Sequence, residues 1–343
     1  FLGLGALYLI IGIIASRSVH SNNDYFLAGK TLSIPAVTFT LVATQLGGGM
    51  LLGTAQEAYG NGLYGITYTL GICLGFLLLA FGFAERLQSF NVATTAELFE
   101  TQYHSIALKK LASLLSIITM SGILIAQVIG SKAFLSSIGF YNEGAFLLFW
   151  SFTIFYTMIG GLQAVIWTDM AQVCLIMLVF GSLFGYTVWI NPVSFLQLFK
   201  SHHLFDTTNI SLAQCATTLI IPALFCLIEQ DIAQRFFAAR NGFVARISAL
   251  CAALFLMFFA CIPIYFGMHA KITGLSFGLG TSPLMPMLAT ITEGFILALA
   301  ACSIIAAINS TADSLLCAIS SNLSQDFDLS FLGGTTIMRS KAV

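Results

Sequence analysis

Charge is what this sequence has least of: 8% of its 343 residues are Asp, Glu, Lys or Arg, against roughly 25% in a soluble domain. A soluble fold of this size needs far more polar surface, so the medium around it is read as lipid. Net charge is −1, and no basic patch is available to neutralise phosphates, which excludes a nucleic-acid partner. Ligand motifs are missing as well. Cys73, Cys174, Cys215, Cys226, Cys251, Cys261, Cys302 and Cys317 all fall inside apolar segments with no CxxC pair. Buried, inert thiols fit better than a metal site or a disulfide framework. His20, His104, His202, His203 and His269 lie at or near segment ends and form no ligand pair. An enzyme working inside a bilayer needs a His–Asp pair, an HExxH helix or paired aspartates. None is written here, so neither catalysis nor a cofactor is expected. The opening run 1–16 has no basic n-region and no small-residue cleavage site, so it is not a signal peptide. It starts at Phe1 within an apolar run without an initiator Met, and reads as a fragment.

What the sequence has is apolar length. Apolar residues make up 58% of the chain and mean hydropathy is +0.94. Nine runs are long enough to be read as spans, for which about 20 residues suffice: 1–16, 34–56, 63–84, 106–131, 144–159, 162–190, 212–228, 243–268 and 293–323. Between them lie the polar stretches 17–30, 85–110, 191–209, 229–246 and 269–282. No linker separates two composition classes, so a single transmembrane domain is expected. Basic residues alternate by side: Arg17, Lys30, Arg86, Lys109, Lys110, Arg235, Arg240, Arg246, Arg339 and Lys341 on one, Lys132, Lys200 and Lys271 on the other. The excess marks the cytoplasmic side, giving a multi-pass plasma (inner) membrane protein with its N-terminus outside and its C-terminus in the cytoplasm.

Two spans are irregular. The run 34–56 is interrupted by Gln45-Leu46-Gly47-Gly48-Gly49; successive glycines lower helix propensity by roughly 1 kcal/mol each. The freed backbone groups either meet a buried ion or solute, or the small residues serve close helix packing. The last span carries Asn309, Ser310, Thr311, Asp313 and Ser314. Its hydroxyls either bond back to the preceding turn or mark an ion or solute path. Paired hydroxyls beside free carbonyls are hard, neutral oxygen ligands, the type an alkali cation takes.

Four stretches, in order along nearly the whole chain, resemble the sodium/solute symporter family, which includes proline, pantothenate and sodium–glucose cotransporters. They are Asp24-Tyr25-Phe26-Leu27-Ala28-Gly29-Lys30 with the glycine-broken helix and Glu57-Ala58-Tyr59-Gly60-Asn61-Gly62 behind it; Gly160-Gly161-Leu162-Gln163-Ala164-Val165-Ile166-Trp167-Thr168-Asp169-Met170-Ala171-Gln172; Glu229-Gln230-Asp231-Ile232-Ala233-Gln234-Arg235; and Ser310-Thr311-Ala312-Asp313-Ser314. The resemblance implies an all-α, LeuT-type fold of two five-helix inverted repeats behind an extra helix. The extra helix would be 1–16, the first repeat 34–190, the second 212–326 without its last two core helices, and 327–343 a cytoplasmic tail. It also implies a sodium site of the carbonyls of Ala43, Leu46 and Ala307 with the hydroxyls of Ser310 and Thr311. Asp169 matches an acidic position near the ion exit, or else is a helix cap or interfacial carboxylate.

The resemblance further implies a solute cavity lined by Gln45, Gly47, Gly48, Met50, Glu229 and Gln230. Departures from the family pattern restrict what it takes. Gln45 stands where proline carriers have an aspartate, and Met50 and Thr69 stand where glucose carriers have polar sugar ligands. The expected activity is symport of sodium with a small organic solute, an amino acid or organic acid, by alternating access. The alternative is a sensor, or a truncated carrier, that binds solute without moving it.

Overall fold

The computed structural model describes residues 2–190, 210–276 and 281–328. His202, His203, Lys200, Arg339, Lys341 and the tail beyond 328 lie outside the described residues. Fourteen α-helices order the described chain: α1 Leu2–Ser16, α2 Asn22–Leu27, α3 Ile34–Gln45, α4 Thr54–Asn61, α5 Thr67–Leu78, α6 Ala84–Ser89, α7 Thr95–Tyr103, α8 Ile106–Ser137, α9 Glu143–Ile190, α10 Leu212–Ile228, α11 Gln230–Ala238, α12 Gly242–Ile272, α13 Leu284–Ile291 and α14 Gly294–Asp326. Polar residues start several of them. Ser21, Thr94, Ser105, Ser211 and Asn241 each accept a backbone N–H of the first turn, offsetting the donors that a helix start leaves free.

Two spans are broken as well as apolar. At the glycine cluster Leu46 leaves helical geometry (φ −84°, ψ 46°), a π-turn covers Gly49–Gly53, and α3 and α4 meet at 60°. The second break is at Glu229, whose extended backbone (φ −66°, ψ 124°) sets α10 and α11 at 46°. The two broken elements are tied where the chain enters α3 and leaves α11: the Leu32 N–H donates to the Ala238 carbonyl at 3.3 Å, and the Arg240 N–H donates to the Leu32 carbonyl at 3.1 Å.

Here the structure corrects the sequence reading. The stretch 229–246 was expected as a polar loop, yet every residue of α11 is buried. Arg235 therefore does not belong among the loop cations that assign the cytoplasmic side.

Among the described residues five helical segments are long and apolar enough to cross a membrane, Leu63–Ser89 (which contains α5 and α6), α8, α9, α12 and α14, and up to seven if each bent pair counts as one span. The nine runs expected from sequence differ from this at two places. α1 has 15 residues, short of the usual 20 or so. The runs 144–159 and 162–190 follow one another without a loop as the 48-residue α9, in which two helices meet across a kink. At 1.5 Å per residue a straight helix of that length would reach about 72 Å, more than twice a hydrocarbon core of roughly 30 Å. It is not straight. Gly161 breaks it with φ 53° and ψ −146°, and a Cβ there would sit 2.4 Å from the Tyr25 carbonyl oxygen.

α14 lies at the centre, packed on α8, α9 and α3, while α1 runs along α9 and α12 covers α3, α4 and α5. The arrangement is inside-out relative to a soluble fold. α8 exposes Ile118, Ile125 and Ile129, whereas Ser303, Asn309, Ser310, Asp313 and Ser314 of α14 are fully buried. Polar groups that cannot meet water inside a bilayer find each other here.

Candidate functional site

The break in α3 faces the middle of α14. Ser310 Oγ donates within reach of two carbonyls, Ala43 at 3.0 Å and Ala307 at 2.9 Å. Thr311 Oγ1 lies 3.0 Å from the Thr44 carbonyl and 3.5 Å from that of Ala307. Two hydroxyls and three carbonyls from two chain segments thus converge. Gly47 permits the approach: a Cβ at that position would lie 2.4 Å from Thr311 Oγ1. Of the residues expected here, Ala43, Ala307, Ser310 and Thr311 come together. Leu46 is buried on the break itself, but the carbonyl that Thr311 meets is that of Thr44, which sequence reasoning missed. Adjacent hydroxyls in an apolar helix could be read from sequence; which carbonyl of a broken helix turns toward them could not.

Beside this cluster a cavity of about 230 Å³ opens, lined by Gln45, Gly47, Met50, Tyr68, Glu229 and Thr311 among others. Gln45 Nε2 donates to Glu229 Oε2 at 3.3 Å across it, joining the two helix breaks through one polar contact. Two residues expected to line this space stand elsewhere. Gly48 is turned to Ile308, whose Cγ1 would lie 3.0 Å from a Cβ. Gln230 Nε2 donates to the Ala93 carbonyl at 3.1 Å, and its Oε1 accepts the Thr95 N–H at 2.7 Å. Gln230 instead lines a second cavity of about 480 Å³ with α7 residues Leu98 and Phe99, which shares Phe225 and Glu229 with the first. As the first residue of α11 its side chain is drawn to the free backbone groups at the start of α7, a demand that outweighs its neighbour's direction.

One turn further along α3 and α14 lies a buried charged network. Asp169, fully buried within α9, accepts from Thr40 Oγ1 and sits 3.8 Å from Arg235 Nη2. Arg235, also fully buried, donates to the Asp231 carbonyl at 2.8 Å, to Ser314 Oγ at 2.6 Å and to Thr40 Oγ1 at 3.3 Å. The place of Asp169 within α9, away from the ends and from the Gly161 break, excludes a helix-end cap for it. The network reaches the hydroxyl cluster through Thr44, whose Oγ1 donates to the Thr40 carbonyl at 2.7 Å and lies 3.4 Å from Ser314 Oγ.

Asp313 accepts from Tyr156 Oη and, at 3.4 Å, from Thr168 Oγ1. Asn309 Nδ2 donates to Tyr156 Oη at 2.8 Å, and its Oδ1 accepts from Thr153 Oγ1 at 2.6 Å. Besides Thr44, the sequence reading missed Arg235 and Tyr156. The signal for Arg235 was present in the Asp231–Arg235 spacing of four, which places both on one helix face.

The sodium:solute symporter family description matches residues 25–335. Among solved structures, the chain is similar to a Na+-coupled sialic acid symporter, described as substrate-bound and outward-open with a novel Na+ site. The TM-score is 0.83 at 18% identity, over 99% of this chain and 76% of that one. At that identity the likeness speaks for the fold: an all-helical membrane protein with five to seven candidate spans.

Proposed function

This chain belongs to the sodium:solute symporter family of multi-pass membrane transporters, which is not an enzyme family, and from that premise we propose that it imports a small organic solute, an amino acid or organic acid, with Na+ by alternating access. The observation that carries this reading is the convergence of Ser310 and Thr311 with the carbonyls of Ala43, Thr44 and Ala307 at the rim of the Glu229 cavity. With their hydrogens turned aside, the two hydroxyls offer lone pairs beside those carbonyls. Leu46, from the same break, is the remaining backbone candidate. A set of neutral oxygens can replace the hydration shell of a monovalent cation without forcing a charge into the bilayer.

The cavity that shares Thr311 with this cluster, lined by Gln45, Gly47, Met50 and Glu229, is the solute site in this reading. Broken helices at the midplane are where carriers of this architecture place solute and ion. Asp169, joined to the cluster through Thr44, Thr40 and Ser314, would take the departing ion toward the cytoplasm. In the same reading the chain crosses nine times. α1 counts as an extra short crossing and α9 as two, with inverted repeats at 34–190 and 212–326 and the N-terminus outside.

Sodium-driven uptake into proteoliposomes tests the proposal. A counterflow substrate is found first from a panel of labelled amino acids and organic acids. Inward-directed Na+ then drives its accumulation, K+ does not, and Thr311→Ala abolishes the sodium dependence. Unchanged sodium-driven uptake in that variant would remove Thr311 from the ion site. Saturable binding without counterflow would favour a sensor instead.

A further inference from the structure

The cavity read as the solute site has a one-sided charge inventory. Among the described residues that line it there is one carboxylate, Glu229, and no Lys, Arg or His. Glu229 is buried, 8% exposed, and its hydrogen-bond donor is the neutral amide of Gln45 at 3.3 Å. Among the described residues no ion pair or hydrogen bond joins Arg235 to Glu229. Arg235 directs its guanidinium to Asp169, Ser314, Thr40 and the Asp231 carbonyl. Asp231, two residues along, brings a second carboxyl group into hydrogen-bonding contact with Glu229, so an acidic pair sits at this helix start, and the Asp231 Oδ1 accepts the Ile232 N–H at 2.9 Å. A carboxylate taken out of water is costly until an opposite charge joins it. The extended backbone at Glu229 holds that carboxylate at a helix break, facing the cavity rather than closing a helical turn.

A solute whose one charged group is a carboxylate would bring a second negative charge into this confined space. A solute with a cationic nitrogen would cancel the first. The walls agree: Tyr68 and Phe225 bring aromatic rings to the lining, a residue type whose faces attract cations, and Met50 offers a deformable apolar contact. A volume of about 230 Å³ restricts the occupant to a small molecule.

We propose that the transported solute carries a protonated or quaternary amine held by Glu229, so that the chain takes small amines or amino acids and rejects organic acids. The proposal rests on the reading of this cavity as the solute site of a sodium-coupled carrier. Its test uses the full chain in detergent with Na+, by isothermal titration and thermal unfolding. The probes are alanine, proline, ethanolamine and choline on one side, and propionate and lactate on the other.

At least one amine probe is expected to bind saturably while propionate and lactate do not. Glu229→Gln weakens that binding tenfold or more, and its retained sodium-dependent stabilisation verifies that it is folded. Glu229→Asp, which keeps the charge on a shorter stem, falls between the two and serves if the glutamine variant does not fold. Binding of a carboxylate-only probe, an amine affinity unmoved in Glu229→Gln, or no amine binding while the sodium response is intact would each overturn the proposal. Absence of any sodium response in the unmodified chain would point instead to failure of the sodium-coupled reading on which it rests.

Discussion

Arg235 spends every donor group on the interior, pairing Asp169 and bonding Ser314, Thr40 and a carbonyl. Removing one partner of such a pair strands the other in low dielectric at a cost of about 3–5 kcal/mol. Arg235→Met should therefore lower the thermal unfolding temperature sharply, and Asp169→Asn in the same background should recover part of the loss. Strictly additive effects of the two changes would show that the pair is not coupled. A second residue-scale test is Gly47→Ala. Its Cβ would fall 2.4 Å from Thr311 Oγ1, displacing the hydroxyl from the Thr44 carbonyl, so the variant should fold while losing most of its sodium response. A full sodium response in a folded Gly47→Ala protein would contradict this geometry. At this scale the sequence spoke clearly where chemistry was out of place. Ser310 and Thr311 stand out in an apolar helix and are found at the cluster. Gln230 does not stand out in that way, because a side chain at a helix start can turn to either of two neighbouring segments.

Among the elements, the broken helices were legible and the continuous ones less so. Consecutive glycines announce the α3 break because no hydrophobic pattern can offset their cost. The α11 helix was hidden by its own charges: Asp231 and Arg235 look like a loop until the buried partners Asp169 and Ser314, more than sixty residues away in sequence, are brought to them. The division of α9 between 159 and 162 was legible too, and the chain does turn there, at Gly161. Gly161 adopts a conformation with φ 53° that residues with a Cβ rarely take, and Tyr25 closes the space beside it. Gly161→Ala should destabilise by about 1–3 kcal/mol from the backbone alone, and further from the contact. Gly181→Ala, on the same element with nothing within 4 Å of the added Cβ, should be neutral or slightly stabilising. Equal unfolding temperatures for the two variants would show that the break bears no strain.

For the molecule as a whole, low charge and apolar length identified the membrane class before any contact was known. Counting crossings needed geometry, since neither the short α1 nor the kinked α9 is decided by hydropathy. The proposed orientation does not rest on Arg235, since Arg17, Lys30, Arg86, Lys109, Lys110, Arg240 and Arg246 stand opposed to Lys132 and Lys271 among the described basic residues. A sided reporter inserted after Asn91 is expected in the cytoplasm, and one inserted after Tyr141 on the outer side; the reverse pattern would invert the proposed orientation. The claim on which the account turns is that a sodium ion is held between α3 and α14, and a ligand bound by the folded state alone raises stability by mass action. Thermal unfolding of the purified chain in NaCl against KCl at equal ionic strength, with Thr311→Ala alongside, tests it most directly. The account predicts a sodium-specific rise in unfolding temperature that the variant loses; equal temperatures in the two salts for a well-folded sample, or a rise that Thr311→Ala retains in full, would contradict it.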